Sequence, residues 1–285
     1  MSGPVDARSV LELEHSFRAV DVGATLDPDQ DHDRGRAVAP ERLERELHQA
    51  GVVRAVVAPR GRRPETLARA EGYLAANNAV ARLCVDRPLV PFARIAGARE
   101  VGGTGSRLRN LAVRRKPWHA DPEDVERYAY GDRFDGFVLD PAADGLPDEA
   151  VLAALADVGL PVRIHASPSF PPRAVERSLL DFEFPVILAG FGGYPLDRGR
   201  MADAVDLLDA HDELYLDTAA VRFRDVLERA LREHPDRVLF GSDAPEVHPS
   251  VGVMELLTLS VPEDAMRRAF EANPTRVVPQ LGPDG

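Results

Sequence analysis

Eight short runs of β-branched and aliphatic residues recur along the chain, and each is followed by a segment with helical periodicity. The runs are 18–23 (RAVDVG), 52–58 (VVRAVVA), 89–95 (LVPFARI), 135–139 (DGFVL), 161–165 (PVRIH), 184–189 (FPVILA), 213–217 (ELYLD) and 237–241 (RVLFG). Helical patterns lie near 40–50, 64–86, 121–130, 147–158, 171–181, 199–210 and 221–234, with two more at 249–259 and 262–271. Strands this apolar need cover on both faces, which a parallel sheet wrapped by helices supplies. Eight strand–helix units in 285 residues predict an α/β fold of the parallel eight-stranded (β/α)8 TIM-like barrel class. An open doubly wound sheet fits less well, because no glycine-rich phosphate loop follows the first strand. Local punctuation agrees. Asp121-Pro122-Glu123 and Pro147-Asp148-Glu149 place proline and acids in first turns, and Gly51 and Gly159 stand where helices stop.

No boundary divides the chain, so residues 1–285 read as a single domain. The longest irregular segment, 97–120, follows the third strand on the face where barrels keep their sites. It carries Arg107, Arg109, Arg114, Arg115, Lys116, Trp118 and His119. It reads either as a lid-like insertion that draws in an anionic substrate or as a solvated surface excursion. The tail 279–285 is expected to fray.

Composition serves mainly to exclude. Aromatic residues make up only 6%, so the core must come from Val, Leu, Ile and Ala. A net charge of -12 argues against nonspecific binding to nucleic acid or an anionic membrane. Cys84 is the sole cysteine; it forms no intrachain disulfide and reads as inert core. No apolar run approaches about 18 residues, and a cytoplasmic protein is expected. Lys116 is the sole lysine, a bias that suggests a GC-rich genome rather than a function. The expected partner is a small-molecule substrate, with a homodimer left open.

In such a barrel, reactive groups stand at the C-terminal strand ends. The first strand delivers Asp21, Gly23 and Thr25, the fourth Asp140, and the fifth His165 followed by Ser167. The sixth delivers Gly190 and then Gly192-Gly193-Tyr194, and the seventh Asp217 and Thr218. The eighth delivers Ser242 and Asp243, with Glu246 and His248 beyond. The stretches "AVDVGATL", "GLPVRIHAS", "FPVILAGFGGYP", "VLFGSDAPEVHP" and "FEANPTRVVP" carry a resemblance in order and spacing. On them the chain resembles the amidohydrolase-related (amidohydrolase 2) family of metal-dependent hydrolases, which includes aromatic-acid decarboxylases and lactonases.

That resemblance implies a His-x-His after the first strand, single histidines after the fifth and sixth, and an Asp after the eighth. His165 matches the strand-five histidine and Asp243 the strand-eight Asp. Gly23 and Thr25 fall where His-x-His belongs, Gly190 where the strand-six histidine belongs, and Val138 where some branches place a bridging lysine. A catalytic zinc usually takes three His, Asp, Glu or Cys ligands, so His165 and Asp243 alone would hold one weakly. A tightly bound divalent metal such as zinc is therefore disfavoured, unless Asp140, Glu246, His248 or His32 swings in. No other cofactor is specified.

The expectation that follows is a hydrolase or lyase acting on a small, carboxylate-bearing molecule. His165 and Asp243 would supply acid–base chemistry without a metal, and Glu246, His248, Asp140, Tyr194 and Thr25 would contact the substrate. His165 and Asp243 could instead pair with each other. Two alternatives stand beside it: a conventional divalent-metal hydrolase with rewired ligands, and a non-catalytic relative that binds a small molecule or a partner subunit.

Overall fold

The computed structural model describes residues 13–27, 39–62, 64–69, 72–111, 113–131, 133–194 and 196–283. Among them lie nine parallel strands: β1 (Ala19–Leu26), β2 (Val52–Pro59), β3 (Leu89–Pro91), β4 (Ala93–Arg94), β5 (Phe137–Leu139), β6 (Val162–Ile164), β7 (Val186–Leu188), β8 (Leu214–Asp217) and β9 (Val238–Leu239). They form the ladders β1-β2-β3 and β4-β5-β6-β7-β8-β9. The third run read from the sequence is thus two strands, divided at Phe92. The Phe92 N–H turns toward β2 and donates to the Val57 carbonyl at 2.8 Å, whereas the next residue, Ala93, donates to Gly136 beside β5 at 2.9 Å. One chain segment therefore joins both ladders. The opposite seam is closed by Val22 N–H to the Phe240 carbonyl (3.0 Å), Asp243 N–H to Gly23 (3.1 Å) and Thr25 N–H to Ala244 (2.8 Å). The result is a (β/α)8 barrel with helices outside.

Register partners in parallel strands point to the same face. The chain of partners Arg94, Val138, Arg163, Ile187 and Tyr215 is accordingly one interior layer. Val138, Ile187 and Tyr215 pack there with Val20, Val22, Val56, Phe92 and Leu239. Two arginines thus enter a barrel whose other interior positions are largely apolar. The larger apolar cluster lies between the strands' outer faces and the helices.

The helix Pro122–Ala129 opens with a reciprocal capping box, in which Asp121 and Asp124 each accept the other's N–H. Asp148 caps Glu149–Val158, which ends at Gly159. The segment 97–120 is less irregular than its sequence suggests, for it holds the short helix Thr104–Asn110. The tail does not fray from 279: Pro279–Leu281 is a 3-10 turn, Leu281 is fully buried, and its carbonyl accepts from Arg18 at 3.1 Å. Cys84 is buried, and burial pushes its thiol up to about 12, which keeps it protonated and inert. No helix among the described residues is long and apolar enough to cross a membrane.

Candidate active site

A cavity of about 530 Å³ opens at the C-terminal strand ends. Its lining combines Asp140, Arg163, His165, Ser167 and Gly190 with Tyr194, Asp243, Glu246 and Arg60. The structure thus brings together five of the predicted residues: His165, Asp243, Glu246, Asp140 and Tyr194. It adds two arginines that the reading of strand ends did not single out.

Arg163 is central. It sits two residues before His165 on β6, so the period-two alternation of a strand puts both side chains on the inner face. Its side chain is only 4% exposed. The Nε donates to Asp217 Oδ2 at 2.7 Å and Nη1 lies 3.0 Å from His165 Nε2. A guanidinium has only donors, so Nε2 must accept and the proton of a neutral His165 resides on Nδ1. Burial, reinforced by the charges of Arg163 and Arg94, holds the His165 pKa well below 6.5. His165 is therefore a neutral imidazole at physiological pH, with its basic nitrogen already engaged. It does not pair with Asp243; its partner is Arg163.

The third nitrogen of Arg163, Nη2, is buried without a hydrogen-bond partner. Asp217 cannot supply one from its second oxygen, because Oδ1 already accepts from the N–H groups of Gly190 (2.8 Å) and Ala219 (3.0 Å). An unsatisfied buried donor costs about 1–3 kcal/mol, and more where it is charged.

Asp243 faces this cation. Its backbone is left-handed, with φ of +63°, and is held by its N–H to Gly23 and by its carbonyl, which accepts from Val247 at 3.2 Å. An aspartate tolerates this conformation at modest cost. Among the described residues, no side chain or backbone group hydrogen-bonds to its carboxylate. Burial is the main influence on that carboxyl and raises its pKa above the usual 3.8, with Arg163 pulling the other way.

The remaining predicted residues divide. Glu246 forms an ion pair with Arg60 at the rim. Asp140 caps the helix Pro141–Asp144 by accepting from Ala143 N–H at 3.2 Å, and its Oδ2 also accepts from Arg94 at 3.2 Å. Tyr194 is an exposed rim residue. Two of the residues expected to contact substrate do not line this cavity. The Thr25 hydroxyl donates to the Ala244 carbonyl at 3.4 Å, which spends it on the barrel seam. His248 caps the helix Pro249–Leu257: its Nδ1 accepts from Ser250 N–H at 3.3 Å and its Nε2 lies 3.2 Å from Gln49 Oε1, outside the cavity. In the segment 97–120, Arg109 pairs with Glu100 and Arg115 with Asp148, while Lys116 lies over the Trp118 ring. The Arg107 side chain and His32 lie outside the described residues.

The donor set does not fit a divalent metal. A Cβ on Gly23 would stand 2.8 Å from Arg163 Nη2, so the guanidinium occupies the space where a histidine from β1 would project. Gly190 has φ of +56°, and a Cβ there would meet the Ala219 carbonyl oxygen at 2.7 Å. No side chain fits that backbone without rearrangement. His165 Nε2 faces a cation already. Among the described residues no group of three or more His, Cys, Asp and Glu side chains is placed to hold a metal ion.

The family model described as amidohydrolase matches residues 23–280. No curated protein sequence matches the chain. Among solved structures, 5-carboxyvanillate decarboxylase from Sphingomonas paucimobilis superposes with a TM-score of 0.61 at 15% identity, covering 93% of this chain and 100% of that one. A dihydroxybenzoic acid decarboxylase from a Polaromonas species, solved with manganese and 2-nitroresorcinol, gives 0.65 at 15% identity over 94% and 98% of the two chains. A probable 2-pyrone-4,6-dicarboxylic acid hydrolase from Acinetobacter baumannii, with citric acid bound, gives 0.58 at 15% identity over 92% and 100%. At such identities the likeness establishes the fold.

Proposed function

Because this chain belongs to the amidohydrolase family, we propose that it is a hydrolase or lyase acting on a small carboxylate-bearing molecule, with Asp243 as its proton-transfer group and no divalent metal. The observation that carries this reading is the Asp243 carboxylate, unpaired and half-buried in a cavity that the Arg163–His165 pair also lines. A carboxyl with a raised pKa is a stronger base once ionised and a usable acid once protonated. Named neighbours of this fold act on carboxyvanillate, dihydroxybenzoate and a pyrone dicarboxylate, which supports a carboxylate on the substrate.

For a lactone, Asp243 removes a proton from water, the oxygen attacks the ring carbonyl carbon, the ring C–O bond breaks and the departing oxygen recovers the proton. For an aromatic acid, the same carboxyl delivers a proton to the ring carbon as carbon dioxide leaves. In both cases His165 serves as an N–H donor from Nδ1 rather than as the proton shuttle expected from its sequence position. Its Nε2 is committed to Arg163, and its depressed basicity keeps it neutral.

The test is a panel of carboxylated lactones and aromatic acids, assayed on protein dialysed against a chelator. Turnover should persist without metal, and Asp243→Asn should lower kcat by about 10²–10⁴. Turnover that vanishes in chelator and returns with zinc would contradict the metal-free assignment. Turnover unchanged in Asp243→Asn would contradict the role of Asp243.

A further inference from the structure

The cavity as described identifies a proton-transfer group but not what holds the substrate against it. The Arg163 guanidinium is fixed at two of its three nitrogens, by Asp217 at Nε and His165 at Nη1. It cannot turn to find another protein acceptor. The third nitrogen packs against Gly23, where a Cβ would stand only 2.8 Å from Nη2. Nη2 is buried and unpartnered, and Arg163 lines the cavity. A pinned, desolvated cation that lines the cavity with one nitrogen unpaired is a site prepared for an oxyanion.

We propose that Arg163 is the carboxylate anchor of this cavity: its guanidinium, with one nitrogen unpaired, receives an oxygen of the ligand's carboxylate, so that a built-in guanidinium takes the place of the cation that a metal would provide. This rests on the reading of the cavity as the substrate site, but it concerns binding rather than turnover. The ligand class is a small planar carboxylate. The charge of Arg163 is only partly spent on Asp217, because one oxygen of that carboxylate is shared between two backbone N–H groups. The neutral His165 adds no positive charge of its own, so the anchor is the guanidinium.

The test uses benzoate as probe and benzamide as its neutral counterpart, by calorimetric titration of the purified full-length protein. Benzoate should bind and benzamide should not. Arg163→Lys should weaken benzoate about tenfold or more, the size of a lost charged hydrogen bond. The double variant Arg163→Met/Asp217→Asn removes both charges together and avoids a buried unpaired carboxylate. Shown folded by circular dichroism, it should lose benzoate binding. Gly23→Ala crowds Nη2 and should also weaken benzoate. Equal binding of benzoate and benzamide, no benzoate binding by the parent protein, or unchanged binding in the folded double variant would overturn the proposal. Because no turnover is measured, a failed anchor leaves the Asp243 assignment standing, and an inactive enzyme that binds benzoate through Arg163 leaves the anchor standing.

Discussion

Two buried arginines flank Val138 in the same interior layer, and they are treated in opposite ways. Arg94 is held by two carboxylates. Its Nε donates to Asp144 Oδ2 at 2.7 Å and its Nη2 to Asp140 Oδ2 at 3.2 Å. Asn77 clasps its backbone on both sides with bonds of 2.9 Å, and Tyr73 donates to Asp144 at 2.8 Å while its ring lies 5.5 Å from the guanidinium. Arg163 has one carboxylate, one imidazole and a nitrogen with no acceptor. The barrel holds the Arg94 guanidinium between two carboxylates, and none of its nitrogens is buried without a partner. Beside the cavity it leaves one Arg163 nitrogen unpaired, and an unpaired buried donor is a desolvation cost that a suitable acceptor would relieve.

The comparison breaks most visibly by removing each arginine. Arg94→Met leaves Asp144 buried without its cation and should cost about 3–5 kcal/mol in urea unfolding. Arg163→Met also strands an acid, but Asp217 keeps two backbone N–H bonds and the unsatisfied Nη2 disappears. Its cost should be smaller by about 1–3 kcal/mol. Equal losses would mean that the two sites are energetically alike.

A second contrast lies between two fully buried carboxylates. Asp217 has an arginine partner; Asp21 has only neutral donors, the N–H groups of Gly23 (2.8 Å) and Ser242 (3.0 Å) and the Ser242 hydroxyl. Burial raises the Asp21 carboxyl from 3.8 to about 6. The folded protein therefore binds this proton more tightly than the unfolded chain. The stabilisation is present below about pH 4 and is lost as pH rises through 6, a span of about 3 kcal/mol. Stability curves of the parent and Asp21→Asn at pH 4, 5, 6 and 7 should diverge in that window, with the variant flatter. Parallel curves would contradict the shift.

The smallest effect belongs to the unpaired carboxylate. Asp243→Asn removes no protein contact, so its stability should change by less than about 1 kcal/mol while turnover falls. A large destabilisation would show that Asp243 has a structural partner.

Much of this was legible in the sequence. Seven of the eight strand runs map onto single strands, and the eighth is the Leu89–Arg94 segment, whose split depends on hydrogen bonds to two different neighbours at Phe92. The gathering of His165, Asp243, Asp140, Glu246 and Tyr194 followed from strand order alone. Strand order does not separate Thr25 and His248, which lie outside the cavity lining, from these five, because a polar residue near a strand end can equally close a seam or cap a helix. Arg163 lies two residues before His165, inside the strand, so a rule confined to strand ends does not reach it. The signal was present in "VRIH": a charged residue between two apolar ones in a buried strand shares its face with the histidine two places on. The same reading of "FARI" finds Arg94. Which of the two is left open depends on Asp140, Asp144 and Tyr73, residues distant in sequence that no local pattern connects.

The central claim is that the cation of this cavity is Arg163 and not a metal. Benzoate titration into protein stripped by chelator, repeated after addition of zinc, tests it most directly. The same dissociation constant in both samples is the predicted result; binding that appears only with zinc would contradict it.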